Sequence, residues 1–188
     1  MKNILYTSVI IVSLFFTGCE SFLEETPVIN TENLDSGFST EKNADEAMVG
    51  IYAEIKNSNG LMGRNCHVLN DCATADLKIT REGNKINNYT FNTSKDDEAF
   101  DNVWRNFYHV IGRCNTAIEV IPNTLAPAAK KSRYDSEAKV IRSIMYFYLM
   151  MYYEDCPLVL KTIQPGDRAG MLTPDATRDQ IYTALITD

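Results

Sequence analysis

From residue 96 to residue 121 apolar side chains return every third or fourth position without a break: Phe100, Val103, Trp104, Phe107, Ile111, Cys114, Ile118 and Ile121. That period marks an amphipathic α-helix, and such a helix is stable only when its stripe is buried against other elements. Asp96, Asp97 and Glu98 suit the positive N-terminal end of a helix over Asp96–Ile121, and Pro122 closes it. A second long run follows from about Ser132 to Asp155. Its first half is expected to turn Ala138, Ile141 and Ile144 inward and Lys139 and Arg142 outward. From Ile144 to Tyr153 all ten residues are apolar or aromatic. A bilayer takes about 20 apolar residues, so this half is expected to be buried on several sides within a protein.

Two further helices are expected. Thr40–Lys56 carries the stripe Ala44, Ala47, Met48, Ile51, Tyr52 and Ile55, with Thr40 as cap, Asn43 as a partial capping box, and Asn57-Ser58-Asn59-Gly60 as stop. Another starts near Thr173-Pro174, with the proline at its first position, and Asp188 lies inside it. Residues 58–95 differ: rich in Asn, Gly and Thr, with short β-like pieces at Leu77–Thr80 and Asn88–Phe91. Nearly forty residues is long for a plain connector, and long irregular segments in compact domains are more often functional than incidental. The expected class is mainly α. Helix pairs of this length are what helical-repeat proteins stack, although no strict 34-residue self-similarity is visible. With its last helix uncovered, the chain is expected to be part of a longer protein.

The N-terminus has the zones of a secretory signal: Lys2, an apolar stretch from Ile4 to Phe16, then the small residues Thr17-Gly18. Phe16-Thr17-Gly18-Cys19 resembles the bacterial lipobox, with Phe16 where Leu is usual. The expectation is cleavage before Cys19 and lipid on its thiol, which with two or three acyl chains anchors a protein durably. The alternative is an ordinary secreted protein with Cys19 in a disulfide. Glu20, Glu24 and Glu25 follow, an acidic stretch resembling the surface-export signal of Bacteroidetes lipoproteins. The chain carries 18 basic and 25 acidic residues, net −7, and removal of residues 1–18 takes only Lys2 from that balance. No basic cluster exists, which sets nucleic-acid binding aside. Among the four other cysteines, Cys66 and Cys72 lie close enough in sequence to bridge, whereas Cys114 and Cys156 are expected as small buried hydrophobes. Cys66, His67, Asp71 and Cys72 lack the spacing of a zinc ribbon, so no metal is expected.

These pieces come in a telling order. Phe22-Leu23-Glu24-Glu25-Thr26-Pro27 follows Cys19, and Phe38-Ser39-Thr40 leads to Gly50-Ile51-Tyr52. Trp104-Arg105-Asn106-Phe107-Tyr108 precedes Ile111 and Cys114-Asn115. Glu137-Ala138-Lys139, Ile141-Arg142, Tyr146-Phe147 and Leu149 lead into Tyr153-Glu154-Asp155-Cys156-Pro157-Leu158-Val159. Arg178 and Ile181-Tyr182 precede Ile186 and Asp188. The succession resembles the N-terminal part of the SusD/RagB family of nutrient-binding outer-membrane lipoproteins. One departure is Glu154, where the family usually has Gly.

The resemblance implies a mainly α, SusD-like fold with tetratricopeptide-like helix pairs and a long irregular loop segment. Residues 1–18 would be the signal peptide, 19–37 a lipid-anchored tether and 38–188 an incomplete SusD-like N-terminal domain. It further implies an outer-membrane protein at the cell surface, lying as a lid on a SusC-like TonB-dependent transporter. The pair takes up oligosaccharides in many systems and peptides in some, without cofactor or catalysis. A scaffold that only caps the transporter is the third alternative. Family ligand contacts come partly from loops before the Trp-bearing helix, which points to Asp76, Lys78, Arg81 and Tyr89, with Asp71, Asn84 and Asn92 also chemically suited. Trp104 and the aromatics Tyr146–Tyr153 are expected in the core rather than on a sugar platform. His109 is expected as a packed or edge residue, and His67 has no serine or carboxylate constellation. A glycosidase would need two carboxylates facing one bond. Asp71 with Asp76, or Asp96 with Asp97, is better read as solvated or dipole-compensating.

Overall fold

Helix α1 spans Glu41–Ile55, and its capping box is complete: Asn43 N–H donates to Thr40 Oγ1 (3.2 Å) while Thr40 N–H donates to Asn43 Oδ1 (3.1 Å). In the computed structural model residues 39–57, 60–71, 74 and 98–188 are described, all within one unit, Leu34–Asp188. Ala44, Met48 and Ile51 are buried, but Tyr52, expected on the same stripe, is half exposed and donates its hydroxyl to Glu137. The turn that ends α1 needs a glycine. A Cβ at Gly60 would stand 2.6 Å from the Ile55 carbonyl and 2.8 Å from that of Glu54.

Helix α2, Arg64–Asp71, lies inside the stretch read from sequence as irregular. It packs on α3 through Cys66 and Leu69, and eight residues are too short a pattern to announce a helix. Cys66 is a free, buried thiol. Helix α3, Glu98–Val120, and helix α4, Ala128–Tyr153, form the central pair. They run antiparallel: Tyr153 meets Phe100 at one end, and Arg142 meets Asn115 further along. A 3₁₀ turn at Ile121–Asn123 links them. Helix α4 begins at Ala128, four residues before the expected Ser132. Pro127, with φ −56°, presets the entry, and Ala128-Ala129-Lys130-Lys131 are good helix formers. Lys130 Nζ then reaches Glu41 (2.7 Å) and Asp45 (2.7 Å), tying α4 to α1.

Three expectations for α4 need correction. Arg142, expected outward, is 2% exposed, and Ile144, expected inward, is 40% exposed. The aromatic half is not buried on several sides, because Ile144, Phe147 and Met151 lie on its outer face while Met145, Tyr146, Leu149 and Met150 face the core. Arg142 is drawn inward by partners distant in sequence. Its Nη1 donates to Asn115 Oδ1 (2.7 Å) and to the Leu160 carbonyl (3.2 Å), and its Nη2 pairs with Asp188.

The Leu160 carbonyl belongs to a strap, residues 156–163, which crosses the α3–α4 pair. Its entry is Glu154, φ 64° and ψ −98°, a positive-φ conformation that favours glycine. Strands β1 (Cys156–Pro157) and β2 (Asp175–Ala176) then pair antiparallel. The strap's backbone is satisfied largely by side chains. Tyr108 donates to the Pro157 carbonyl (2.8 Å), and Asn115 Nδ2 donates to those of Val159 (3.0 Å) and Lys161 (3.1 Å). Tyr146 Oη accepts from Val159 N–H (2.7 Å) and donates to its carbonyl (3.0 Å). As expected, Cys114 and Cys156 are buried free thiols. Helix α5 is one turn, Arg168–Met171, and helix α6 spans Arg178–Thr187. Helix α6 does not begin at Pro174. Residues 175–176 are taken into β2, and the cap is Thr177 in a capping box with Gln180.

Candidate functional site

Of the residues singled out in the sequence, Cys19, Asp76, Lys78, Arg81, Asn84, Tyr89 and Asn92 lie outside the described residues, as do Cys72, Asp96 and Asp97. Asp71 ends α2, exposed, its Oδ2 3.8 Å from His67 Nδ1 one turn back. Cys66, by contrast, is buried, so Cys66 and His67 point to different sides of α2. Among the described residues no group of three or more His, Cys, Asp or Glu converges as metal ligands do. His109 is an edge residue, exposed on α3, with Nδ1 3.9 Å from Glu54 Oε1.

The described structure does show what flanks the segment between α2 and α3. Tyr152 and Tyr153 are neighbours at the end of α4, and a helix turns successive side chains by about 100°. They therefore reach different elements. Tyr152 Oη donates to Asn70 Oδ1 in the last turn of α2 (2.7 Å), and Tyr153 Oη donates to the Phe100 carbonyl in the first turn of α3 (2.6 Å). Both flanking helices are thus tied to one helix terminus.

Around these anchors the aromatic rings meet edge to face or tilted. Trp104 lies 4.9 Å from Tyr153 and 4.9 Å from Tyr108 between ring centroids. On the other side Tyr152 stacks on Phe107 at 6.3 Å and on Tyr148 at 6.2 Å, Phe107 and Tyr148 are tilted by 50° to each other, and exposed Phe147 meets Tyr148 at 5.7 Å. The reading of these aromatics as core holds for Tyr146 and, at the core's edge, for half-buried Trp104. It is corrected for Phe147, which is exposed, and Tyr148, Tyr152 and Tyr153 are only partly buried.

Burial pushes the Tyr152 phenol up to about 12 and the Cys66 thiol up to about 11, and it raises Tyr153 as well. At neutral pH these groups keep their protons, and the Tyr152 and Tyr153 hydroxyls use theirs on Asn70 and the Phe100 carbonyl, so rings and hydroxyls together brace the two flanking helices. Such an arrangement suits stacking and hydrogen bonding. The available signal was the use of tyrosine rather than phenylalanine at positions 148, 152 and 153, because a part-buried phenol calls for a polar partner.

Comparison with known proteins agrees with this architecture. A SusD-like family model described as starch-binding, associating with the outer membrane, matches residues 21–188. A crystal structure of a SusD-like carbohydrate binding protein from Bacteroides fragilis superposes with a TM-score of 0.53 at 20% identity, covering 80% of this chain. The chain spans about 30% of the length of that structure. No curated protein matches the sequence. The family pattern covers the described helices from end to end, and the chain belongs to the SusD/RagB family of SusD-like proteins.

Proposed function

We propose that this chain is the N-terminal part of an outer-membrane lipoprotein that binds a nutrient glycan and passes it to a SusC-like TonB-dependent transporter. The observation that carries the reading is the match of residues 21–188 to a family described as starch-binding and associating with the outer membrane. Residues 1–18 act as the export signal, Cys19 bears the lipid, residues 19–37 form the tether, and residues 38–188 begin the binding domain. The role is binding without chemistry. Tyr152 and Tyr153 hold the flanks of the segment that includes Asp76, Lys78, Arg81 and Tyr89, and these four contact the ligand.

Isothermal titration of the full chain against starch-, mannan- and xylan-derived oligosaccharides, with a peptide mixture in parallel, tests the ligand. Heat with one sugar class supports the proposal. Heat with peptides alone transfers the scaffold to peptide uptake, and silence with both leaves a transporter lid without a ligand. Labelled fatty acid should enter the protein and be lost on Cys19→Ala; labelling that survives the substitution would remove the anchor from the proposal.

A further inference from the structure

A hollow lies between α1 and α3. It measures about 540 Å³ and is bordered by Ala47, Tyr108, His109, Gly112, Arg113 and Thr116. Its floor is Gly112, in the interior of α3. A glycine there weakens a helix relative to alanine and usually has a reason. Two common reasons are absent: Gly112 does not have positive φ, and a Cβ built on it would meet nothing within 4 Å. Gly60 and Gly170 contrast with it, since a Cβ at either would come within 3.0 Å of a neighbouring atom. Gly50, on α1, faces the same place, its Cβ position 3.5 Å from Arg113 Nη1 in ordinary contact. Two helices thus leave out a side chain on either side of Arg113.

Among the described residues the half-exposed Arg113 side chain is ion-paired along one edge, by Glu54. Glu54, whose side chain is 14% exposed, receives Asn106 Nδ2 at 2.9 Å and lies 3.4 Å from Arg113 Nε and 3.9 Å from His109 Nδ1. The two Nη groups of Arg113 make no hydrogen bond to a described residue. A planar guanidinium fixed through Nε offers two parallel donors, a spacing that fits two adjacent oxygens. Its charge is offset by Glu54, which favours neutral hydroxyls over a phosphate. The Tyr108 ring supplies an apolar wall, and Thr116 Oγ1, 3.2 Å from Thr162 Oγ1, a further hydroxyl.

We propose that this groove is a saccharide subsite, in which the Arg113 guanidinium binds a vicinal diol of a sugar ring seated over Gly112 against Tyr108. The inference rests on the glycan-binding reading above. In the test, the oligosaccharide from that panel that binds the full chain best is titrated into Gly112→Leu, Arg113→Ala and Gly112→Ala, with circular dichroism confirming the fold. Filling the groove or removing the guanidinium should weaken binding about tenfold or more, the loss of one charged hydrogen-bonding group. Gly112→Ala should melt higher than the parent yet bind more weakly. Unchanged affinity in Gly112→Leu and Arg113→Ala, with the parent binding normally, removes the subsite and leaves the glycan reading intact. A lower melting temperature for Gly112→Ala gives Gly112 a structural role and overturns the argument. A parent that binds no sugar takes both readings down together.

Discussion

Helix α1 and the strap at residues 156–163 both lie on the α3–α4 pair, and they are held in opposite ways. Ala44, Met48 and Ile51 fix α1 by apolar burial, with its backbone already satisfied inside the helix. The strap is extended, so its carbonyl and N–H groups need partners from elsewhere. Tyr108, Asn115, Arg142 and Tyr146 reach in from the two helices to supply them, while Leu158 and Leu160 add apolar contact. The contrast explains why Asn115 and Arg142 are buried on otherwise apolar helix faces. Asn115 and Arg142 mark where irregular backbone crosses the pair, whereas buried Asn106 reaches Glu54 in the last turn of α1.

The contrast can be broken at its strongest point first. Arg142→Ala is expected to destabilise the protein by about 3–5 kcal/mol, because it strands Asn115 Oδ1, the Leu160 carbonyl and Asp188. Urea unfolding reads this, and a loss below about 1 kcal/mol would show that the strap does not depend on its polar clamp. Ile51→Ala should cost about 2–4 kcal/mol through the cavity it leaves, while Ile51→Val should cost only about 1 kcal/mol. Equal losses for the two variants would refute apolar packing as the hold on α1.

At the strap's entry the expected effect is smaller and opposite in sign. Glu154→Gly relieves a φ of 64° and should raise stability by about 1 kcal/mol, visible as a higher melting temperature. A decrease would mean that the Glu154 side chain makes a compensating contact.

The smallest effect concerns the polar link between α1 and α4. Hydrogen bonds from Lys130 and then Tyr134 hold the Asp45 carboxyl below its ordinary value of 3.8. A depressed folded-state value adds stability above the unfolded value, and that stability is lost as pH falls through the folded one. Unfolding midpoints of the parent should therefore drop more steeply below about pH 4 than those of Asp45→Asn. Parallel curves would remove the link from the account.

How much of this was legible in the sequence depends on where each residue finds its partners. Helices α1 and α3 were readable because three- and four-residue spacing carries its own evidence. Helix α2 was not, since eight residues leave room for little more than one repeat of the spacing that joins Cys66 to Leu69. Arg142 was misplaced because its partners, Asn115, Leu160 and Asp188, lie on three other parts of the chain. The start of α6 was misread because Thr173-Pro174 and Thr177-Gln180 are both plausible caps, and only pairing of Asp175 and Ala176 with Pro157 and Cys156 decides between them. The candidate ligand residues Asp76, Lys78, Arg81 and Tyr89 were chosen by chemical type, while Tyr152 and Tyr153 passed as core because a helix-end phenol reveals its role only through what it touches.

The packing of Trp104 gives the molecule a built-in optical gauge. It is the only tryptophan in the chain, and its indole meets Tyr153 edge to face at 4.9 Å, with Tyr153 in turn bonded to the Phe100 carbonyl. Light absorbed by the neighbouring tyrosines is funnelled to a single emitter at the start of α3. A ligand that pulls on the flank of the preceding segment, or a substitution that frees Tyr153, would change the colour and yield of that emission without any added dye.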